Sequence, residues 1–224
     1  MKNQLRLIAG LLMGFMVVTS PFDQIGEKKS SGQRLRIFDG AFSDEVKAQC
    51  RNIIETAEKV VMSAMPQLRQ AFEEIPEPVY LVVTDDLNRS LNSYFPGRVE
   101  IRQGIQVREK LSIRLDACAV GLKTSREKIY VLFIKLECFQ SLARTIAVLT
   151  HEWEHIRRFW KDEESLDFKT EEMEVTAVTI PRLKVISNWL QGKIAEQQLP
   201  RVFADFERVI NEEEKVLKNY GRVK

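Results

Sequence analysis

Apolar residues recur every three or four positions in four stretches of the chain, which is the spacing that places them on one face of an α-helix. The stretches are residues 44–73, 141–160, a segment that starts near Thr170, and 200–220. Pro66 is expected to kink or split the first helix, and Pro181 is expected to bend or interrupt the third near Ala177. Helices are therefore predicted on both sides of the middle of the chain.

Two apolar runs between these helices are rich in β-branched and aromatic residues and predict strands, at residues 78–84 and 128–134. Residues 99–102 and 111–115 alternate between apolar and polar, which favours half-buried antiparallel strands, and residues 85–98 have the composition of a loop. The order of elements predicts an α+β fold with a small mixed or antiparallel sheet of three to four strands.

The first 20 residues have the pattern of an export signal, in which a short basic segment precedes twelve uncharged apolar residues at 7–18. That run is short for a membrane span, which needs about 20 apolar residues, and Pro21 makes a poor cleavage site. We expect a signal peptide or membrane anchor at 1–20, a linker at 21–43 and the folded domain at 44–224. The protein is then exported (periplasmic or secreted), or associated with the membrane through residues 7–18 and facing outside the cytoplasm.

Composition narrows the classes of function. Lys and Arg number 34 against 32 Asp and Glu, so the net charge is +2 and no nucleic-acid partner is expected. The three cysteines, Cys50, Cys118 and Cys138, match no metal-ligand spacing, which favours a buried apolar role for each. Only two histidines occur, and they lie four residues apart.

Both histidines belong to one HExxH motif, His151-Glu152-Trp153-Glu154-His155, inside the strongest helical pattern of the chain. Residues four apart on a helix lie about 40° apart around its axis, so both imidazoles can bind one zinc ion at about 2.0–2.1 Å. Glu152 lies beside such a site, where it can take a proton from a water activated by the metal and pass it to a leaving amine. The alternative is two histidines on a solvated helix face, which their occurrence within one five-residue window disfavours.

A catalytic zinc site usually has three protein ligands, and without a third histidine an acidic residue must supply the last one. Glu171, Glu172 and Glu174 lie at the start of the next predicted helix. Glu174 is the preferred ligand, because Ala177 continues its face of the helix and a small residue would let two helices approach closely. Glu171 and then Glu172 are the alternatives, and all three could instead form a solvated acidic first turn.

These features resemble the gluzincins, zinc peptidases that carry HExxH on one helix and a glutamate ligand on a following helix. The resemblance extends over about residues 116–190 and implies a zincin-like fold in which the sheet packs on the HExxH helix. Gluzincins place a substrate-binding edge strand and a central strand before that helix, and ACAVG at 117–121 followed by KIYVLFI is similar. The resemblance implies that the strand binds the substrate backbone by strand addition, through Ala117, Cys118, Ala119 and Val120.

Other gluzincin features are present only in part. Members commonly have Glu-x-x-Ala, which fits Glu174 to Ala177, but the Asp or Asn that often follows and supports the first histidine is Val178 here. Members also often stabilise the oxyanion with a histidine or tyrosine. No histidine remains for that role, so Tyr94 and Tyr220 are the candidates.

The sequence predicts a zinc-dependent endopeptidase that acts on a peptide or protein substrate. His151, His155 and Glu174 would hold Zn²⁺, and Glu152 would act as the general base. The alternative is a catalytically silent zinc-binding structural or interaction domain of the cell envelope.

A third possible function is an aminopeptidase. That activity would need an acidic group to hold the free amine of the substrate, and Glu100, Glu109 and Asp116 are available in the sequence.

Overall fold

A four-stranded mixed sheet forms the centre of the molecule and carries most of the helices on one face. The computed structural model describes residues 34–75, 79–94, 116–123, 128–163, 167–193 and 199–222. The strands are β1 (Arg34–Asp39), β2 (Val79–Thr84), β3 (Ala117–Lys123) and β4 (Lys128–Lys135). The α-helices of these residues are α1 (Asp44–Ala64), α2 (Pro66–Glu73), α3 (Leu87–Tyr94), α4 (Leu142–Trp160), α5 (Phe168–Gln191) and α6 (Leu199–Arg222). The predicted α+β class is confirmed.

The strands lie in the order β1-β2-β4-β3, and β1, β2 and β4 are parallel. β3 runs antiparallel to β4, with Ala119 opposite Leu132, and it is an outer strand of the described sheet. Parallel strands are usually covered on both faces, which agrees with the burial of every residue of β2. The strands predicted at 99–102 and 111–115 lie outside the described residues.

The two faces of the sheet have separate hydrophobic cores. Leu81 and Leu132 point to the face that packs against α1, α4, α5 and α6. Val82 and Phe133 point to the opposite face, where Leu87 and Leu91 of α3 contact them. The three cysteines are all buried and unpaired with one another, as the sequence predicted.

The predicted helices agree closely with α1, α2, α4, α5 and α6. The break between α1 and α2 falls at Met65, because Pro66 occupies the first position of α2, where its missing N–H costs no hydrogen bond. Pro181, by contrast, does not interrupt α5, which is helical through that position. Proline has no N–H to donate to the Ala177 carbonyl, so the helix continues through this position with one hydrogen bond fewer.

Two other segments differ from the sequence prediction. Residues 87–94 were expected to be loop but form α3, because Asp86 caps the first turn and Leu87 and Leu91 bury one face. β1 lies within the segment predicted as a linker at 21–43, so the sheet begins ahead of residue 44. Residues 21–33 of that linker, like the proposed signal at 1–20, lie outside the described part of the chain.

Among the described helices, none has both the length and the hydrophobicity needed to span a lipid bilayer.

Candidate metal centre

The HExxH sequence lies in the middle of α4, and the packing of that helix fixes its rotation. Ser141 caps the first turn by accepting a hydrogen bond from the backbone N–H of Arg144 at 3.2 Å. Ile146, Leu149 and Trp153 are buried against the sheet and the neighbouring helices. This apolar stripe directs the histidine face of α4 towards the start of α5.

His151, His155 and Glu172 form a compact cluster in which one ligand atom from each residue lies within 4.8 Å of the others. The Nε2 atoms of the two imidazoles are 3.2 Å apart. The Glu172 carboxylate reaches both rings, with Oε2 at 3.3 Å from Nε2 of His151 and Oε1 at 3.2 Å from Nε2 of His155. The two helices therefore bring two nitrogens and one carboxylate to a common point.

The spacing of these atoms fits a zinc ion. A tetrahedral ion with bonds of about 2.0–2.1 Å keeps its ligand atoms roughly 3.3–3.4 Å apart. The two imidazole Nε2 atoms are 3.2 Å apart, and each lies 3.2 or 3.3 Å from a different oxygen of the Glu172 carboxylate. Two imidazoles and a carboxylate are also a donor set that zinc uses in catalytic sites.

The electrostatics of the cluster favour an anionic Glu172. Burial alone would raise the pKa of its carboxyl, but hydrogen bonds to His151 and His155 outweigh that effect and hold the pKa well below its usual range. Burial lowers the pKa of His155, while contacts with Glu171 and Glu172 raise it, with a net rise to about 10. In the metal-free protein, His155 therefore carries a proton at neutral pH.

Glu174, preferred from the sequence as the third ligand, is not in this cluster. Its side chain is 46% exposed, and its carboxylate pairs with Arg158. Ala177 is likewise exposed and borders a shallow groove between α5 and α6 instead of facing α4. The face of α5 that packs inward carries Glu172, Val175, Thr176 and Thr179, so the carboxylate that reaches the imidazoles is Glu172.

Glu171 contacts His155 at the ring nitrogen that lies outside the cluster. Its Oε1 lies 3.3 Å from Nδ1 of His155, and both side chains are almost completely buried. Arg158 holds the same carboxylate through Nε at 3.0 Å and its terminal nitrogen at 3.1 Å. A carboxylate at Nδ1 fixes the ring orientation of a metal-binding histidine, so Glu171 would position His155 if a metal is bound, a contact that the sequence did not reveal.

His151 lacks an equivalent support. Its Nδ1 atom is buried and has no hydrogen-bond partner among the described residues. The two imidazoles are therefore held differently.

Glu152 lies beside the cluster, between α4 and β3. It is 7% exposed, and its carboxylate accepts a hydrogen bond from the backbone N–H of Ala119. Burial raises the pKa of Glu152, although His151 and His155 oppose the rise. A carboxyl with a raised pKa, close to the ligands but outside the cluster, is suited to accepting and releasing a proton.

β3 presents backbone groups to the site. Asp116 accepts a hydrogen bond from the N–H of Lys135, which makes the even-numbered residues of β3 those that bond to β4. The backbone N–H and C=O of Ala117 and Ala119 consequently point away from the sheet, on the side of Glu152. The side chains of Ala117, Cys118, Ala119 and Val120 are buried on the two faces of the sheet. An extended peptide could therefore contact only backbone groups there, and of these the Ala119 N–H is already bonded to Glu152.

Of the two tyrosines considered for the oxyanion, Tyr220 is the one near the cluster. Burial, Glu172 and Glu213 raise the pKa of Tyr220 to about 12, so its hydroxyl remains protonated. Tyr94 packs against Phe133 on the opposite face of the sheet. Glu213 is a further acidic group beside the site that the sequence analysis missed, although its position on the apolar face of α6 was a detectable signal.

The chain matches no known protein-family model, no curated protein and no solved structure.

Proposed function

We propose that the protein is a zinc-dependent endopeptidase with a zincin-like fold of the gluzincin type. The metal ligands in this proposal are His151, His155 and Glu172, with Glu172 replacing Glu174 as the third ligand. The observation that carries the proposal is that the two imidazole Nε2 atoms lie 3.2 Å apart and each lies 3.2–3.3 Å from one oxygen of the Glu172 carboxylate, beside a buried Glu152. The proposed location is outside the cytoplasm, either exported or anchored through residues 7–18.

Each protein group has a chemical task. A bound zinc ion would polarise the scissile carbonyl and lower the pKa of a water at the site to about 7. Glu152 takes a proton from that water on its carboxylate and then donates it to the leaving amine. The outward backbone groups of β3 pair with the extended substrate, and the Tyr220 hydroxyl donates a hydrogen bond to the developing oxyanion.

The test is a comparison of the wild type with Glu152→Gln, both loaded with zinc. We expect Glu152→Gln to retain one zinc per chain and to lose peptide cleavage by at least about a hundredfold, since general base catalysis contributes on that scale. Glu207→Gln, an equivalent charge change on an exposed position of α6, is the control and should cleave normally. Undiminished cleavage by zinc-loaded Glu152→Gln would reject the mechanism.

The second candidate function is a zinc site without catalysis, and the unsupported Nδ1 atom of His151 favours it. This function predicts one bound zinc in the wild type and no cleavage of any member of a peptide library. The same measurements of zinc content and cleavage therefore distinguish the two functions.

A further inference from the structure

Three consecutive glutamates in the middle of α6 point to three different parts of the molecule. Glu212 pairs with Arg144 of α4 at 3.3 Å, and Glu214 pairs with Lys184 of α5 at 2.9 Å. These two ion pairs connect α6 to both of the helices that build the metal centre. The residue between them, Glu213, is directed towards the space where α4 and α5 meet.

The surroundings of Glu213 identify what its carboxylate faces. It is half-buried, and the charged groups that act on it are His151, Glu172, Arg144 and Glu212. It forms no ion pair or hydrogen bond with any other described residue. Arg144 is already bonded to Asp116 and Glu212, so Glu213 is an unmatched carboxylate that faces the centre.

The periodicity of α6 supports this orientation. Glu213 follows Phe206 by two helical turns and Val209 by one, and both of those residues are buried in the main core. Tyr220, two turns beyond Glu213, also lies near Glu172. One face of α6 therefore continues from the core to the neighbourhood of the centre.

Glu213 lies outside the group of ligand atoms. The cluster whose members lie within 4.8 Å of one another consists of His151, His155 and Glu172. A carboxylate beside the centre but beyond this group is available to contact a bound substrate instead of the metal.

The charge balance of the centre indicates which substrate group would be favoured. Glu171 and Glu174 share a single cationic partner, Arg158, so these three groups together keep one negative charge. Glu152, Glu172 and Glu213 remain, and their three negative charges exceed the two positive charges of a zinc ion. The loaded site therefore has a net negative charge, which attracts cations.

We infer that Glu213 is a specificity residue that binds a positively charged group of the substrate beside the scissile bond. The inference rests on the proposed peptidase function. The group is an ammonium or guanidinium, which a peptide can supply either as its free amino terminus or as a Lys or Arg side chain. Asp116, one of the acids considered for holding a free amine, is excluded from this role by its bond to Arg144, while Glu100 and Glu109 lie outside the described residues.

The experiment measures peptide binding to the zinc-loaded Glu152→Gln protein, so that binding is separated from turnover. Three hexapeptides of otherwise identical sequence serve as probes: one with a free amino terminus and no Lys or Arg, its N-acetylated form, and an acetylated form with one Lys. We expect at least one cationic peptide to bind about tenfold more tightly than the neutral one, as charge-assisted hydrogen bonds contribute on this scale. The cationic peptide that binds more tightly identifies the source of the charge.

Glu213→Gln in the same background should abolish this difference, whereas Glu207→Gln on the exposed side of α6 should retain it. Equal binding of all three peptides to the Glu152→Gln protein would overturn the inference, and this result does not depend on whether Glu213→Gln folds. A preference for the cationic peptides that survives in correctly folded Glu213→Gln would also overturn it.

Cleavage of the same peptides by the zinc-loaded wild type separates this inference from the proposed function. Selective binding without any cleavage supports the role of Glu213 and rejects the peptidase. Cleavage of the neutral and cationic peptides with equal efficiency supports the peptidase and rejects the role of Glu213.

Discussion

Glu171 and Glu172 are adjacent in the sequence, yet their carboxylates contact different atoms of His155. Glu172 reaches Nε2, the atom shared with the metal cluster, while Glu171 reaches Nδ1 on the other side of the ring. The imidazole is therefore held between a proposed ligand and a positioning carboxylate. This arrangement leads to predictions for individual residues.

The first residue-scale prediction concerns the third ligand. Glu172→Gln should weaken zinc binding by at least about a hundredfold, beyond the 10–100-fold typical of residues that merely support a ligand. Glu174→Gln should bind zinc as the wild type does, because its carboxylate pairs with Arg158 at the surface. Competition titration against a chelator measures both constants. Equal losses in the two variants would contradict this assignment of the ligand.

The second residue-scale prediction is the pH dependence of zinc binding. Because its acidic neighbours raise the pKa of His155 to about 10, the metal-free protein holds a proton there at pH 7, which zinc must displace. The apparent zinc Kd should therefore tighten by about tenfold per pH unit, for each displaced proton, between pH 6 and 9. A Kd that is constant over this range would mean that His155 is already neutral.

Sequence reasoning located the histidines but ranked Glu172, the glutamate that reaches them, last among three candidates, and the reason is geometric. The HExxH spacing is local, since one helical turn fixes it. Glu171, Glu172 and Glu174 differ by rotations of about 100° per residue around α5, so the choice depends on how α5 packs. That packing is decided by buried contacts of residues such as Val175 and Leu183, whose partners lie far away in the sequence.

At the scale of elements, the approach of β3 to α4 depends on Gly121. A Cβ atom at this position would lie 2.3 Å from the ring of Phe159, a separation that requires one of the elements to move. The absence of a side chain therefore lets the strand lie close enough to α4 for Ala119 to reach Glu152.

Gly121→Ala should reduce the free energy of unfolding by about 1–3 kcal/mol, the usual cost of overpacking a core. Gly192→Ala is the matched control: the nearest atom to an added Cβ is 3.9 Å away, so its effect should stay within about 0.5 kcal/mol. Denaturant unfolding measures both. If Gly121→Ala were as stable as the control, the close contact with Phe159 would not be a constraint.

The elements that sequence patterns missed were those with weak local signals. α3 contains three polar residues between Leu87 and Leu91, and a further asparagine follows Leu91, which gives the segment the composition of a loop. β1 follows a polar segment, so the sequence pattern placed both in the predicted linker at 21–43. Both elements are specified by long-range contacts. α3 packs into the hydrophobic core on the face of the sheet that carries Val82 and Phe133, and β1 pairs with β2.

At the scale of the whole molecule, the candidate centre joins parts of the chain that are distant in sequence. α4 supplies the histidines, α5 the carboxylates, α6 Glu213, and β3 the backbone groups. A ligand that binds only this assembled arrangement stabilises the folded state. Metal binding should therefore stabilise the entire domain.

Free zinc at a hundred times its Kd should add about 2.7 kcal/mol to the free energy of unfolding, which raises Tm by roughly 5–10 °C for a chain of this size. The double variant His151→Ala/His155→Ala should show no zinc-dependent shift. Scanning calorimetry of the metal-free and zinc-loaded proteins tests this, and an equal shift in the double variant would assign the stabilisation to zinc bound elsewhere.

The contact between Arg158 and Glu171 has a consequence for how α5 can turn about its own axis. A rotation of α5 by one residue would withdraw Glu172 and present a neighbouring side chain to the imidazoles. The two-pronged contact of the Arg158 guanidinium with Glu171 resists that rotation, since turning the helix would break both hydrogen bonds at once. A mostly buried arginine thereby sets the angular position of the helix, and with it which of two consecutive carboxylates would meet a metal ion.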